Sequence, residues 1–179
     1  MKKAFTLIEL LVVIAMIGIL SSVVVANFSD TRGKTQASKI AHELGQITKA
    51  FQITSIKQDD FDGFPTENEL GYGANPLLST LINNGDLEYV TTESEPTGFG
   101  QGEYRYDNDG DVFTNLSDCT ANNSYAGVNI TVLDVGDDIE IVNSLDGYFD
   151  ESDGLECGRV RTIEFAGITY MNFLLSDNQ

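Results

Sequence analysis

The residue best placed to do chemistry is Glu9, a carboxylate inside an otherwise uncharged run. Residues 5–28 contain no other charged side chain, and Lys2 and Lys3 precede them. An acidic side chain is costly to bury in a bilayer, so such a residue is expected to have a partner and a function. A second interpretation stays open, in which the carboxylate reaches the membrane interface and stabilises the positive end of the helix dipole.

The run of residues 5–28 is long enough to cross a membrane, since a spanning helix needs about 20 residues. Two lysines ahead of the run predict a cytoplasmic N-terminus. A secretory signal has the same outline, but here the apolar run starts almost at once and contains a carboxylate. The sequence therefore predicts a single-pass protein of the cytoplasmic membrane, with the remaining chain outside.

The N-terminus resembles the leader of the type IV pilin family, which includes the pseudopilins of type II secretion. The matching stretch reads KKAFTLIELLVVI from residue 2 and GIL from residue 18. The resemblance implies that a prepilin peptidase removes residues 1–4 by cutting between Ala4 and Phe5, and that the new amino group of Phe5 is methylated. It also implies that Glu9 pairs with the terminal amine of a neighbouring subunit during assembly. The family usually has glycine where this chain has Ala4.

Residues 29–57 continue the helix with an amphipathic pattern, in which apolar side chains recur at i, i+3, i+4 and i+7. The predicted buried stripe comprises Ala37, Ile40, Ala41, Leu44, Ile47 and Phe51. The predicted exposed face carries Lys34, Ser38, Lys39, Glu43, Gln46 and Lys49. No proline occurs before Pro65, so we expect one near-continuous helix over residues 5–57.

Residues 58–179 are predicted to form an acidic globular head. Residues 59–179 hold 25 acidic side chains and three arginines, whereas residues 1–58 hold seven Lys/Arg and three acids. This charge disfavours binding to nucleic acid. It favours divalent cations, although it is also explained by the solubility of an exported domain.

Turn and strand signals in the head predict an antiparallel sheet that covers the second half of the helix, an α+β fold. The resemblance identifies this as the pilin fold. The predicted strands are residues 103–106, 112–116, 125–135, 138–143, 159–165 and 168–175, the last four as two hairpins. A short helix is predicted over residues 75–83, with Asn75 as its cap and Pro76 in its first turn.

Cys119 and Cys157 are the only cysteines. An exported pair usually oxidises, so we predict one disulfide between them. In the chain-entropy description such a bond stabilises the fold by roughly 3–4 kcal/mol. Two buried free thiols are the alternative.

Two acidic clusters are candidate calcium sites, because Ca²⁺ takes six to eight oxygen ligands. The first comprises Asp146, Asp150 and Asp153. The resemblance supports it, because major pseudopilins hold calcium in a late loop whose entrance is similar to residues 144–147. The second comprises Asp107, Asp109 and Asp111. The alternative for the first cluster is a solvated acidic loop. The alternative for the second cluster is a plain β-turn.

Two middle segments, residues 63–70 and 95–110, are loosely similar to major pseudopilins, which makes that subfamily the nearest resemblance. The resemblance implies a structural subunit of a type IV pilus or of a type II secretion pseudopilus. Such a subunit inserts in the inner membrane and polymerises through its N-terminal helix into a homo-oligomeric helical filament, periplasmic or on the cell surface. Implied partners are prepilin peptidase, an assembly platform and minor pilins.

The alternative function is a membrane-anchored minor pilin or adhesin that acts as a binding module. An enzyme is not expected, because the sequence has no Ser/His/Asp arrangement, no Gly-x-Ser-x-Gly motif and no catalytic cysteine with a partner histidine. The only histidine is His42. The same lack of histidines excludes a histidine-rich metal site. No cofactor other than calcium is predicted.

Overall fold

A computed structural model describes residues 5–57, 64–87, 90, 102–108, 128–151 and 154–175. Its helices are α1 (Leu7–Lys57), α2 (Glu67–Leu70), α3 (Leu78–Asn84) and α4 (Ile139–Phe149). Its strands are β1 (Tyr104–Asp107), β2 (Asn129–Val132), β3 (Val160–Phe165) and β4 (Ile168–Leu174). A 3-10 turn, Gly136–Asp138, leads into α4.

The long helix predicted over residues 5–57 is confirmed as α1, an uninterrupted helix of 51 residues. It begins after Thr6, whose carbonyl accepts the amide hydrogen of Leu10. All six residues of the predicted apolar stripe, between positions 37 and 51, are buried. This stripe packs against α4 and the sheet, so the second half of α1 forms part of the core of the head.

The four strands form one antiparallel sheet in the order β1-β2-β4-β3. Its inner face carries alternate residues of every strand, as the period of two requires. These buried side chains are Tyr104, Tyr106, Ile130, Val132, Val160, Met171 and Phe173. The ring of Tyr106 stacks on Phe51 of α1, with 4.5 Å between ring centroids. The α+β architecture with the helix on the sheet is therefore confirmed.

The hairpin predicted between residues 125–135 and 138–143 is wrong. After β2 the chain turns into α4 instead of returning as a strand. Ile141, Val142 and Leu145 are all buried, and they share one helical face that packs against α1. A short alternating apolar run fits both the period of a strand and the period of a helix. Here the tertiary contact with α1 favours the helix.

The helix predicted over residues 75–83 exists, but it begins later, at Leu78. Asn75 has a positive φ of 50° and so does not cap it. The carbonyl of Pro76 accepts the amide hydrogen of Tyr106 at 3.0 Å. This segment therefore runs beside β1 before the helix starts, because the exposed edge of β1 needs hydrogen-bond partners.

The second predicted hairpin is confirmed as β3 and β4. Ala166 and Gly167 join the strands, and both have positive φ, 54° and 79°. Such two-residue turns match the twist of the strands they connect. The predicted strand at residues 103–106 corresponds to β1, while the one at residues 112–116 lies outside the described residues.

Candidate functional site

Glu9 caps the first turn of α1. Its Oε2 accepts hydrogen bonds from the Thr6 amide at 2.9 Å and the Thr6 hydroxyl at 2.8 Å. The Glu9 amide in turn donates to the Thr6 hydroxyl at 3.3 Å. This reciprocal arrangement is a capping box, and the Thr-x-x-Glu spacing is its sequence signal. The apolar pattern alone did not predict it.

The carboxylate of Glu9 therefore has local partners within its own chain. The side chain is exposed, so it is also accessible to a second chain. Phe5, the predicted new N-terminus, is 76% exposed and lies next to Thr6. Ala4 lies outside the described residues. The cleavage position and the pairing of Glu9 with a neighbouring amine stay predictions.

The first half of α1 presents a continuous apolar surface. Leu7–Val24 is the one described helical span long and apolar enough to cross a membrane, and none of it is buried against the rest of the molecule. An exposed apolar surface of this size is typical of a membrane segment or of a protein–protein contact.

The predicted calcium ligands Asp146 and Asp150 organise the backbone around them. Asp150, directly after α4, accepts hydrogen bonds on Oδ2 from the amides of Arg159 at 2.8 Å and Val160 at 2.9 Å. Asp146 lies within α4, is buried, and accepts the Gly154 amide at 3.3 Å. Both carboxylates thus hold the loop that leads from α4 to β3.

No group of three or more His, Cys, Asp or Glu that could hold a metal ion occurs in the part of the chain that the structure describes. Asp153, Asp109 and Asp111 lie outside that part. Asp107 is at the end of β1 and is buried. The structure places Asp146 and Asp150 at the same loop, but calcium binding at either cluster stays a prediction.

Asn108, which follows Asp107, belongs to a hydrogen-bond network that the sequence did not predict. The Asn108 amide donates to the Glu67 carboxylate at 2.6 Å, and the Asn108 side chain donates to the carbonyls of Phe64 and Pro65. The Tyr106 hydroxyl also donates to the Pro65 carbonyl, at 2.5 Å. This network anchors the start of α2 to the end of β1. The Thr66-x-x-Glu69 capping box is the signal that identifies α2 from the sequence.

Glu43 lies in the core, although its position predicted an exposed side chain. It is only 5% exposed, and its carboxylate accepts a hydrogen bond from the Tyr104 hydroxyl at 3.0 Å. The ammonium group of Lys39 lies 3.6 Å from the other oxygen. These two partners compensate for the burial of the charge.

Cys157 lies just before β3 and is half-buried. It carries no free thiol in the structure. Cys119 lies outside the described residues, so its bond to Cys157 stays a prediction.

The N-terminal region of the chain matches a known protein family. A family profile described as the prokaryotic N-terminal methylation motif matches residues 1–25. That range includes the predicted cleavage position between Ala4 and Phe5, and Glu9. No solved structure shows a significant match to the chain.

Curated relatives extend the similarity beyond this motif. The chain is 34% identical to the type IV major fimbrial protein FimA of Dichelobacter nodosus over 116 residues, covering 56% of this chain and 72% of that protein. It is 25% identical to a fimbrial protein of Pseudomonas aeruginosa over 97 residues, covering 54% and 63%. It is 41% identical to the fimbrial protein EcpB of Eikenella corrodens over 51 residues, covering 28% and 32%.

These relatives are fimbrial proteins, and the nearer likeness to pseudopilins stays a prediction. The chain itself combines the N-terminal methylation motif, a long helix with an exposed apolar half and an antiparallel sheet on the second half of that helix. On this similarity to FimA, the chain belongs to the type IV pilin family.

Proposed function

We propose that this chain is the structural subunit of a type IV pilus-like filament, and that it polymerises through α1. The observation that carries the proposal is the uncovered apolar surface of Leu7–Val24. A surface of this kind needs lipid or other protein around it. Before assembly it would lie in the cytoplasmic membrane, and in the filament it would pack against the same span of neighbouring subunits.

We propose that the chain has four parts. Residues 1–4 are the leader, residues 5–28 the membrane and filament-core half of the helix, residues 29–57 its amphipathic half, and residues 58–179 the head. The head would lie outside the cytoplasmic membrane and then on a periplasmic or cell-surface filament. Prepilin peptidase, an assembly platform and minor pilins are its proposed partners.

The proposed assembly contact is an ion pair between Glu9 of one subunit and the methylated amine of Phe5 of the next. Each charge alone is unfavourable in an apolar filament core, and the two compensate each other only at one relative position of the subunits. Such a pair sets the register of subunits more than it adds stability. The exposure of both residues supports the contact, because each is accessible to a second chain.

A pilus is favoured over a type II secretion pseudopilus by the names of the curated relatives, which are fimbrial. The minor pilin or adhesin alternative has no observation in its favour in the described part of the chain. We do not propose an enzymatic activity. In the head we propose the disulfide between Cys119 and Cys157, which the absence of a free thiol at Cys157 supports.

The test is the N-terminus and intact mass of the protein purified from its native membrane, together with electron microscopy of sheared cell-surface material. The expected chain begins at N-methylated Phe5, has two hydrogens fewer than its reduced form because of the disulfide, and is found in filaments. An unprocessed chain, or one cut near Ala26, in cells without filaments would overturn the proposal. Filaments that form only when a type II secretion system is intact would show that the subunit belongs to a pseudopilus and not to a pilus.

A further inference from the structure

The face of the sheet that points away from α1 is buried over part of its area. Its side chains alternate along each strand with those that pack on α1 and α4. The strand register aligns two neighbouring rows of side chains on this outer face. The rows are Arg105, Thr131, Asn172 and Arg161, and beside them Asp107, Asn129 and Leu174. Arg105 is half-buried and the other six are buried. We call these seven residues the outer block.

The burial ends toward the turn between β3 and β4. The next two pairs on the same face are Ile163 with Tyr170 and Phe165 with Ile168. The first pair is half-buried, whereas Phe165 is 64% exposed and Ile168 is 37% exposed. A bare sheet face would leave all of its rows exposed, so a limited stretch of protein lies over the outer block.

The helices of the described part pack elsewhere. α1 and α4 belong to the hydrophobic core on the inner face, and α3 contacts the edge strand β1. Leu174 is fully buried but is not part of that core. The loop before β3 reaches the block at one side, where the Arg161 Nε donates to the Gly158 carbonyl at 2.9 Å. The burial of Asn129 and Thr131 on β2 therefore needs a further source.

Residues 109–127, which lie outside the described residues, start and end at the outer block. They follow Asn108, next to Asp107 on β1, and precede Val128, next to Asn129 on β2. Asp107 and Asn129 are direct partners on adjacent antiparallel strands. A loop of about two to five residues is enough to join such strands. The extra length is therefore available to pack on the sheet.

The proposed disulfide directs this stretch across the sheet. Cys119 lies in its middle, and Cys157 precedes β3, the strand farthest from β1. Three strand spacings of about 4.8 Å separate β1 from β3, roughly 14 Å in all. Residues 109–118 reach up to roughly 33 Å when extended, at about 3.3 Å per residue. A path from β1 to Cys157 and back to β2 therefore has the length to run over the outer block.

The basic side chains of the head are concentrated at the outer block. Arg105, Arg159 and Arg161 are the only basic residues among residues 59–179. Arg105 and Arg161 stand at the two ends of one row, and the Arg159 guanidinium donates to the Leu174 carbonyl at 3.1 Å. Arg161 is fully buried. A buried guanidinium requires compensation by an opposite charge or by hydrogen bonds.

The charges of residues 109–127 complement those of the outer block. The stretch contains three acidic side chains and no basic one, namely Asp109, Asp111 and Asp118. Asp118 precedes Cys119 directly, and Cys157 lies four residues before Arg161. The disulfide thus brings the Asp118 carboxylate toward the buried guanidinium.

We propose that residues 109–127 pack on the outer block, with the Asp118 carboxylate beside the Arg161 guanidinium. The inference uses the proposed disulfide and does not depend on filament formation. A separate acidic partner fits less well, because the fully buried Arg161 is not accessible to another molecule. The chain's own segment also supplies apolar side chains for Leu174, namely Val112, Phe113 and Leu116. The sheet would then lie between two layers, the helices on one face and this segment on the other.

The first test places a photo-crosslinking phenylalanine analogue at position 113 of the full-length protein in detergent. Mass spectrometry of the monomer is expected to find adducts with outer-block residues on β2 and β4, such as Thr131 or Asn172. A matched control places the analogue at Phe165, on the same face but beyond the block, and is expected to give no adduct with residues 109–127. Adducts of position 113 only with other parts of the chain, or no adduct with the block, overturn the proposal.

The second test removes the charge of Asp118. Asp118→Asn is expected to raise the equilibrium constant for unfolding at least about tenfold, because the Arg161 charge stays buried without its counterion. Asp137→Asn makes the same change on an exposed carboxylate and is expected to alter that constant by no more than about twofold. Equal effects of the two substitutions overturn the pairing of Asp118 with Arg161.

A double-mutant cycle identifies the partner of Asp118. In an Arg161→Met background the charge is absent, so Asp118→Asn is expected to change the unfolding constant by no more than about twofold. A tenfold effect in both backgrounds overturns the pair. If Arg161→Met does not fold, the comparison of Asp118→Asn with Asp137→Asn decides. All of these measurements use the unassembled chain, so cells without filaments would overturn the proposed function and leave this inference standing.

Discussion

The hydroxyl of Tyr104 donates a hydrogen bond of 3.0 Å to the buried carboxylate of Glu43, and so ties the first strand of the sheet to the middle of α1. Lys39 lies 3.6 Å from the other carboxylate oxygen. Two residues further along β1, Tyr106 stacks on Phe51 of the same helix. These two contacts set both the direction of the helix across the sheet and its position along the strand.

Replacing Tyr104 with phenylalanine should lower the free energy of unfolding by about 1.5–3 kcal/mol, the usual contribution of a hydrogen bond to a charged group. The substitution keeps the ring and removes only the hydroxyl, so the core stays filled. The Glu43 carboxylate remains buried with one partner fewer. Denaturant unfolding of the full-length protein in detergent measures the difference.

Tyr148→Phe is the matched control for this prediction, because it makes the same chemical change on an exposed ring of α4. It should alter the free energy of unfolding by no more than about 0.5 kcal/mol. Equal effects of Tyr104→Phe and Tyr148→Phe would show that the bond to Glu43 contributes nothing measurable to stability.

The two inward-facing tyrosines of β1 should make the head sensitive to alkali. Burial raises the pKa of Tyr104, and the charge of Glu43 raises it further. Burial likewise raises the pKa of Tyr106. An unfolded tyrosine ionises near pH 10. Above that pH the folded chain binds more protons than the unfolded chain, so stability falls as pH rises and is unaffected by these groups below it.

Absorbance of tyrosinate and circular dichroism, followed together from neutral to strongly alkaline pH, measure this effect. Of the seven tyrosines, the two on β1 should ionise only as the head unfolds. Ionisation of all seven near pH 10 with the circular dichroism unchanged would contradict the prediction.

Local periodicity explains what could be predicted from the sequence. The extent of α1 and its six buried apolar residues followed from the i, i+3, i+4 pattern and the lack of proline. The β3–β4 hairpin followed from two β-rich runs around Ala166 and Gly167. The cap formed by Thr6 and Glu9 is also encoded locally, by the Thr-x-x-Glu spacing.

Long-range contacts explain what could not be predicted. Glu43 was expected on the exposed face, and its burial depends on Tyr104, which is 61 residues away. The segment that became α4 alternates apolar and polar residues, as a strand does. Only the packing of Ile141 and Leu145 against α1 selects the helix. The roles of Asp146 and Asp150 depend on the backbone amides of Gly154, Arg159 and Val160, which no spacing of acidic residues reveals.

Asp150 should stabilise the loop between α4 and β3 without a metal ion. Asp150→Ala removes the acceptor of the Arg159 and Val160 amides. The loss should be about 1–3 kcal/mol in the free energy of unfolding, because two partly buried donors lose their partner. Asp150→Asn should lose less, since its amide oxygen still accepts hydrogen bonds. Unfolding in a chelator gives these values without calcium.

The same three proteins measured with added calcium test the predicted metal site. If Asp150 acts only through the backbone, the differences between the variants should be the same with chelator and with calcium. Calcium that stabilises the wild-type chain and not Asp150→Ala would instead show that the acidic loop binds the ion, as its composition predicts.

Glu9 has two possible roles, as a cap of α1 and as a partner in an intersubunit ion pair. Two substitutions at the start of α1 distinguish them. Thr6→Val removes the hydroxyl that completes the cap and keeps the Glu9 charge, whereas Glu9→Gln removes the charge and keeps a side chain able to accept hydrogen bonds. If Glu9 pairs with the amine of Phe5 on a neighbouring subunit, Glu9→Gln leaves that amine uncompensated and should reduce filaments at least about tenfold. Thr6→Val should leave them within about twofold, because a lost cap weakens only the helix end. Filaments are counted by electron microscopy and normalised to subunit in the membrane. Equal losses in the two variants would assign the function of Glu9 to the cap and remove the intersubunit pair.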